Sequence, residues 1–331
     1  MTNQRAPALP TDHTLHSPTR VARETATWIE HVKNARTFTF GVAEVDKMLL
    51  PLYPGRLLTV LSRPGHGKTS MLAYWARNMA EKVLPDSGAI IYVSLEQYVE
   101  EIATMLASHV GVHLDDVYRQ NTQEDKVLRT ILYLTRSPLW IIGYSIQEHG
   151  RAVLHSPEGS NFVLPRLTKD VILNCVLNME KQYKIKPLVL LLDYLQMLPV
   201  EGPGRPFEKI QQIPPQLKQL SMRLKIPVIA AVQAGRDVDK RGHKLPQMHD
   251  AQWASTIEQA SDVVLSLWRL SLTEKIGDIV KLNGQEIAVT EDMLLLGLVK
   301  QRGGPAPGKW LLKFDPATLK YTPYIIQKTP F

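Results

Sequence analysis

Short apolar runs alternate with helix-type patterns along most of the chain. From residue 38 onward, each short apolar run is followed by a stretch in which apolar residues recur every three or four positions. The first pattern predicts buried strands and the second predicts amphipathic helices. Alternation of the two is typical of an α/β fold whose sheet is mainly parallel. The predicted strands are residues 57–61, 88–94, 138–143, 187–192, 227–232 and 262–267, followed by 293–299 and 310–314 at an antiparallel edge.

Three stretches have patterns of a different kind. Residues 1–18 are rich in Pro, Thr, Asn and His without periodicity, which predicts a disordered or extended arm. Residues 19–37 hold most of a helix predicted over 18–32, whose apolar side can pack on its own domain or on a neighbouring subunit. Residues 147–165 are polar and contain Gly and Pro, which predicts an inserted surface loop. Residues 38–331 are expected to form one domain.

The break after the first predicted strand carries the strongest chemical signal. A glycine-bearing loop there joins a buried strand to a helix, and in this arrangement backbone N–H groups and the helix dipole hold phosphate. Lys68 is expected to reach the β- and γ-phosphates, and the Thr69 hydroxyl to hold Mg²⁺. The usual GxxxxGK[ST] pattern begins with glycine, whereas this chain has Ser62 there. The predicted nucleotide-binding residues are Ser62, Arg63, Pro64, Gly65, His66, Gly67, Lys68, Thr69 and Ser70.

Polar residues follow three of the other predicted strands. Asp193 ends the fully apolar fourth strand, where it would complete the Mg²⁺ site with Thr69. Glu96 ends the second strand and is placed to orient or deprotonate an attacking water. Gln233 ends the fifth strand and is placed to contact the γ-phosphate. Each could instead serve only its own turn, but together they predict a hydrolytic site at the carboxyl edge of the sheet.

Composition indicates which partners and which cellular compartment suit this chemistry. The net charge of +7 over 331 residues suits a polyanionic partner without identifying one. Cys175 is the single cysteine and falls on a predicted helix face, so it excludes an internal disulfide and suits the core of a cytosolic protein. The chain has neither an apolar segment long enough to span a bilayer nor an N-terminal secretion signal. We therefore expect a cytoplasmic protein without a membrane partner.

Several motifs, in order, resemble those of the DnaB-type replicative DNA helicases. They are residues 62–69, 94–97, 192–197, 227–233 and 257–262, and residues 298–305 resemble the family's late KxRNGP motif with Gly303 or Gly304 in place of Asn. The family often lacks the first loop glycine, which accounts for Ser62. The resemblance covers about residues 38–324 and is specific. It implies a RecA-like P-loop NTPase fold, with a mainly parallel twisted sheet, flanking helices and an antiparallel edge.

This resemblance also implies a function and residue roles. It implies an ATP-dependent helicase that uses ATP and Mg²⁺ and moves 5′ to 3′ on single-stranded DNA as a homo-oligomeric, hexameric ring in a bacterial or phage-infected cell. Glu96 would be the catalytic base, and Gln233 would couple nucleotide to DNA. Lys300 and Arg302 would reach the γ-phosphate of a neighbouring subunit's ATP, an effect that can be worth ~10³–10⁵ in rate. Without the resemblance, both would read as solvated cations near an edge hairpin.

Two departures from the family pattern bear on this expectation. Only about 37 residues precede the core, so the family's N-terminal collar, which docks primase, is expected to be absent or replaced by the helix at 18–32. That helix occupies the place of the linker helix that contacts the next subunit in the family. The Arg-Glu-x-Gly pattern of the central-channel loop is also missing, because Gln252, Trp253 and Ser255 stand there.

Because the channel loop is altered, the sequence does not decide which residues contact DNA. Trp253 is either a base-stacking residue or part of the core. The basic run after Gln233 is either a compensating grip on phosphate or an ordinary solvated face. The alternative function is a RecA-like DNA-dependent ATPase that loads or remodels nucleoprotein without processive unwinding, with a loader or primase as a possible protein partner. The predicted DNA-binding residues are Arg236, Lys240, Arg241 and Lys244, with His243 in the same run, together with Gln252 and Trp253.

Overall fold

The computed structural model describes residues 16–34, 37–148, 151–155, 161–164, 166–200, 205, 208, 211–251, 254–282 and 285–324. The chain divides into two compact units, residues 1–37 and residues 38–331. The first unit contains helix α1 (Pro18–Asn34), whose apolar residues Val21, Trp28 and Ile29 are exposed. Most of the predicted arm, residues 1–15, lies outside the described residues.

One large sheet organises the second unit. Within the described residues this sheet has 11 strands, in the order β13-β12-β11-β8-β1-β7-β6-β2-β3-β4-β5 when numbered along the chain. The strands are β1 (Leu57–Ser62), β2 (Ala89–Tyr98), β3 (Leu139–Tyr144), β4 (Ala152–His155), β5 (Asn161–Leu164), β6 (Pro187–Asp193), β7 (Val228–Gln233), β8 (Val263–Arg269), β9 (Ile279–Leu282), β10 (Gln285–Ala288), β11 (Met293–Gln301), β12 (Gly308–Asp315) and β13 (Lys320–Pro323). Strands β9 and β10 form a separate hairpin.

The pairing pattern confirms the predicted α/β class. The six strands from β8 to β3 in the sheet order are parallel to one another. Strands β11, β12 and β13 are antiparallel at one side, as predicted for 293–299 and 310–314. Parallel central strands are covered on both faces and therefore read as continuous apolar runs, which is why these strands were recognisable in the sequence.

Helices pack against both faces of the sheet. Leu58 and Val60 of β1 contribute to one core together with Trp75, whereas Leu57 and Leu61 contribute to a second core on the other face. Among the described residues, no helix is both long and apolar enough to span a lipid bilayer. The α-helices within the described residues of this unit are α2 (Ala43–Asp46), α3 (Lys68–Ala80), α4 (Val99–Ala107), α5 (Leu114–Tyr118), α6 (Glu124–Thr135), α7 (Lys169–Tyr183), α8 (Ile213–Leu224) and α9 (Ala254–Ala260).

The stretch at 147–165 corrects one prediction. It is not simply a surface loop, because β4 pairs antiparallel with β3, and β5 pairs antiparallel with β4. Short apolar stretches at 152–154 and 162–164 form these strands, while all of the Gly and Pro residues that suggested a loop stand outside them in the sequence. Cys175 is buried on α7, as its helix-face position predicted.

Candidate nucleotide-binding site

The loop between β1 and α3 forms one wall of a cavity of about 430 Å³. Gly65 and Gly67 have φ angles of 80° and 92°, in the left-handed region that glycine adopts without a steric cost. Gly67 is the N-cap residue of α3 and makes no side-chain hydrogen bond to the helix. The first N–H groups of α3 therefore have no side-chain cap, as an anion-binding helix terminus requires.

Several of the predicted residues meet in this cavity. The Lys68 ammonium donates a long hydrogen bond of 3.4 Å to the carbonyl oxygen of Arg63 and lies 5.9 Å from the centre of the Tyr194 ring. Burial lowers the pKa of Lys68, while Asp193 and Glu96 oppose that shift. The cavity lining consists of Pro64, Gly65, Gly67, Lys68, Thr69, Ser70, Glu96, Gln97, Met105, Leu114, Tyr194 and Gln233.

Asp193 lies at the end of β6 with 3% of its surface exposed. Its Oδ2 accepts a hydrogen bond from the Tyr92 hydroxyl at 3.1 Å, and its Oδ1 has no hydrogen-bond partner among the described residues. Burial raises the pKa of Asp193, and the Thr69 and Tyr92 hydroxyls and the Lys68 ammonium act against that rise. The carboxylate is therefore buried beside two hydroxyls and a cation.

The donor set around Asp193 fits Mg²⁺. Within the described ranges, no group of three or more His, Cys, Asp or Glu side chains could hold a metal ion by itself. Mg²⁺ does not need such a group, because it keeps several waters and takes one or two carboxylates together with phosphate oxygens. Asp193 with its unpaired Oδ1 and the adjacent Thr69 hydroxyl are the residues that would hold the ion.

Gln233 is held in place by a residue to which the sequence interpretation gave no role. Its backbone N–H donates to the Gln196 Oε1, and its carbonyl accepts from the Gln196 Nε2, both at 3.1 Å. Gln196 lies in a short 3₁₀ turn, Leu195–Met197, just after Asp193. This pair of bonds joins the ends of β6 and β7. The signal for Gln196 was its place in the motif at 192–197.

His66 anchors the phosphate loop to β8. Its ring is only 6% exposed, and its Nδ1 accepts a hydrogen bond of 3.0 Å from the backbone N–H of Arg269. Burial lowers the pKa of His66 to about 4, with smaller effects from Asp239 and nearby cations. The ring is therefore neutral at pH 7, with its proton on Nε2.

Lys300 and Arg302 are not brought into the cavity of their own chain. On β11, Lys300 pairs with Val264 of β8, whereas Ser62, at the end of β1, pairs with Leu267 of the same strand. The two positions are three residues apart along β8, which corresponds to about 10 Å. Lys300 Nζ donates to the carbonyl of Ser261 at 2.9 Å. Arg302 is held by a 3.0 Å bond to the Asp262 carboxylate.

The predicted DNA-binding residues fall into two groups. Gln252 and Trp253 lie outside the described residues. The basic segment, residues 236–244, follows β7 and begins in a 3₁₀ helix, Arg236–Lys240. Arg236 is exposed. Three cations of this segment form ion pairs within the chain: Lys240 with Asp237 at 2.7 Å, Lys244 with Glu274 at 2.7 Å, and Arg241 with Asp250. His243 packs near Trp268.

Comparison with known proteins gives one family and several relatives. The model of the DnaB-like helicase C terminal domain matches residues 38–149 and 164–323. The replicative DNA helicase DnaB of Mycoplasma genitalium is 25% identical over 288 residues, which cover 85% of this chain and 55% of that protein. The replicative DNA helicase DnaC of Bacillus subtilis is 28% identical over 276 residues, covering 80% and 52%. This chain spans about half the length of these curated relatives.

Solved structures show the same fold. One of them, described as an ATPase domain, superposes with a TM-score of 0.71 at 21% identity, covering 92% of this chain and 99% of that domain. A DnaB-like replicative helicase, described with its interactions with primase, superposes with a TM-score of 0.69 at 21% identity, covering 90% and 66%. These similarities confirm the RecA-like α/β architecture.

Proposed function

The chain belongs to the DnaB-like helicase C-terminal domain family, and on that premise we propose that it is an ATP-hydrolysing motor that moves along single-stranded DNA as a replicative helicase. The observation that carries this proposal is the cavity that unites the phosphate loop with Glu96 and Gln233, with Asp193 beside the cavity residues Thr69 and Lys68. Such a cavity lies at the carboxyl ends of parallel strands, where open α/β sheets bind their ligands.

The phosphate loop, Lys68, Thr69, Asp193 and Glu96 each have a role in the proposed hydrolysis of ATP. The loop N–H groups and the start of α3 bind the phosphates, and Lys68 exchanges its long bond to the Arg63 carbonyl for a phosphate oxygen. Thr69 and Asp193 hold Mg²⁺, which when bound neutralises charge on the β- and γ-phosphates. Glu96 is exposed on the cavity wall, where it can take a proton from the attacking water.

The site is proposed to be completed by a neighbouring copy. Lys300 lies about 10 Å of strand away from the phosphate loop of its own chain, and Arg302, two residues further along, lies beyond it. The Arg302 side chain is 55% exposed, so it is accessible to a second subunit. Helix α1 exposes Trp28 and Ile29, which would be buried against an adjacent subunit. We propose a hexameric ring with its active sites between subunits and, from the family resemblance, 5′ to 3′ movement.

The proposed partners follow from this motor role. Single-stranded DNA would contact the basic segment 236–244, together with Gln252 and Trp253, because cations bind the DNA backbone and an aromatic ring can stack on a base. A helicase loader or a primase is the proposed protein partner. The proposed location is the cytoplasm of a bacterial or phage-infected cell.

ATP hydrolysis measured with and without single-stranded DNA tests the proposal. We expect Mg²⁺-dependent hydrolysis that single-stranded DNA stimulates, and the Lys68→Ala variant serves as the negative control. Hydrolysis that does not respond to DNA would contradict the proposal.

One observation favours a second function. Three cations of the basic segment are already paired within the chain, which weakens a grip on DNA. A DNA-dependent ATPase that loads or remodels nucleoprotein would need less grip than a processive helicase. The two functions differ in one property, because only the helicase displaces a strand from a duplex.

A further inference from the structure

Arg63 joins the phosphate loop to the basic segment by a forked ion pair. Its Nε donates to both carboxylate oxygens of Asp239, at 3.0 and 3.1 Å, and a terminal nitrogen lies 2.8 Å from one of them. The other terminal nitrogen donates to the carbonyl of Ala234 at 3.0 Å. A planar guanidinium that binds a carboxylate in this way fixes the direction of its partner as well as its distance.

The backbone reinforces this connection. The N–H of Ala234 donates to the carbonyl of Ser62 at 2.9 Å, so Ser62 and Arg63 together hold both backbone polar groups of Ala234. The N–H of Gly235 then donates to the carbonyl of Asp250 at 2.7 Å. The chain directly before the basic segment is therefore bonded both to the phosphate loop and to Asp250, and the segment itself is bonded to the phosphate loop through Asp239.

Arg63 also contacts the residue proposed to bind the γ-phosphate. Its carbonyl accepts the 3.4 Å hydrogen bond from Lys68 Nζ. A triphosphate that draws the Lys68 ammonium toward itself removes that bond. The bond that a nucleotide would remove and the bonds that hold Asp239 are therefore made by the same residue.

We propose that Asp239 is a positioning residue that, through Arg63, couples nucleotide binding to the binding of single-stranded DNA by the basic segment. This inference rests on the proposed function, because it needs both ligands. Asp237 offers a matched control in the same 3₁₀ helix. It pairs with Lys240 at 2.7 Å, and no bond from it to the phosphate loop is present among the described residues.

Equilibrium binding of a fluorescent oligothymidylate tests the coupling without turnover. Its dissociation constant is measured with Mg²⁺, in the presence and absence of the β,γ-imido analogue of ATP, and the ratio of the two values is the coupling factor. Asp239→Asn and Asp237→Asn each remove one negative charge from the same segment, and an electrostatic effect on DNA affinity that is the same with and without the analogue cancels in the ratio. Asp239→Asn should bring the coupling factor about 2- to 30-fold closer to one, and Asp237→Asn should leave it unchanged.

Two further variants separate positioning from simple loss of structure. Asp239→Glu keeps a carboxylate within reach of Arg63 and should restore most of the coupling. Arg63→Lys keeps the charge but removes the fork, and should lower the coupling as Asp239→Asn does. Thermal unfolding midpoints close to that of the natural chain show that each variant is folded.

The outcomes distinguish this inference from the proposed function. The inference is overturned if Asp239→Asn and Arg63→Lys both keep the coupling factor of the natural chain. It is also overturned if Asp237→Asn lowers the coupling factor as much as Asp239→Asn does. Hydrolysis stimulated by DNA but with a coupling factor of one in the natural chain also overturns the inference alone. A natural chain that neither hydrolyses ATP nor binds the oligothymidylate overturns the proposed function and this inference with it.

Discussion

Acidification should destabilise the fold through His66, the imidazole of the phosphate loop. Burial lowers its pKa in the folded protein to about 4 from the ordinary value of 6.5. Between these two values the unfolded chain binds a proton at this residue and the folded chain does not. The free energy of unfolding therefore falls as the pH drops from about 6.5 toward 4, and His66 contributes no pH dependence above that window.

The size of this effect follows from the two pKa values. The difference between 6.5 and about 4 corresponds to at most about 3 kcal/mol, reached near pH 4. At pH 5 the same values give about 2 kcal/mol. Because the ring lies in a loop beside an open cavity, solvent screening lowers this figure, and we expect about 1–2 kcal/mol at pH 5.

Urea unfolding at pH 7 and pH 5 measures the effect. The His66→Asn variant does not titrate, and its side-chain oxygen can accept the hydrogen bond that the Arg269 N–H now donates to His66. The natural chain should lose about 1–2 kcal/mol more than this variant between the two pH values. His249→Asn is the control, because the His249 side chain is 68% exposed.

Two results would refute the reasoning about His66. One is an equal loss of stability in the natural chain and in His66→Asn. The other is a His249→Asn variant whose loss of stability between pH 7 and pH 5 is reduced as much as that of His66→Asn. The carboxylates and the buried His109, whose pKa burial also lowers to about 4, are common to all three proteins, so their contributions cancel in the comparison.

Three further predictions concern catalysis and stability. Glu96→Gln should bind ATP normally but lose turnover, and an unchanged steady-state rate would remove Glu96 from the base role. Mixing Arg302→Ala with Lys68→Ala should restore part of the ATPase rate, since some interfaces then pair an intact Lys68 with an intact Arg302; no recovery at any ratio would count against action in trans. Asp262→Asn should lower the free energy of unfolding by about 3 kcal/mol in urea, because it breaks a buried carboxylate's bonds to Lys218 and Arg302, and a loss below about 1 kcal/mol would contradict this.

The polar residues of the candidate site could be predicted because each stands at or near the end of an apolar run that predicts a strand. Asp193 and Gln233 each end a buried strand, and Glu96 stands near the end of another. The ends of parallel strands lie at one edge of the sheet. The same reasoning could not find Met105 and Leu114, which also line the cavity. They belong to α4 and α5, whose sequences carry no strand-end signal.

Pairings between distant parts of the chain explain what the sequence did not reveal. Arg63 and Asp239 are 176 residues apart, and no local pattern encodes their contact. The basic segment was predicted from its cations alone, whereas two of its acidic partners, Asp250 and Glu274, come from outside it. Charge along a sequence shows how many cations a segment has, but tertiary structure decides how many remain unpaired.

Strand displacement from a forked duplex with a 5′ single-stranded tail tests the central claim most directly. We expect the chain to separate the strands only with ATP and Mg²⁺, and the Glu96→Gln variant to separate none. ATP hydrolysis that single-stranded DNA stimulates, without displacement of any strand at any protein concentration, would contradict the helicase function.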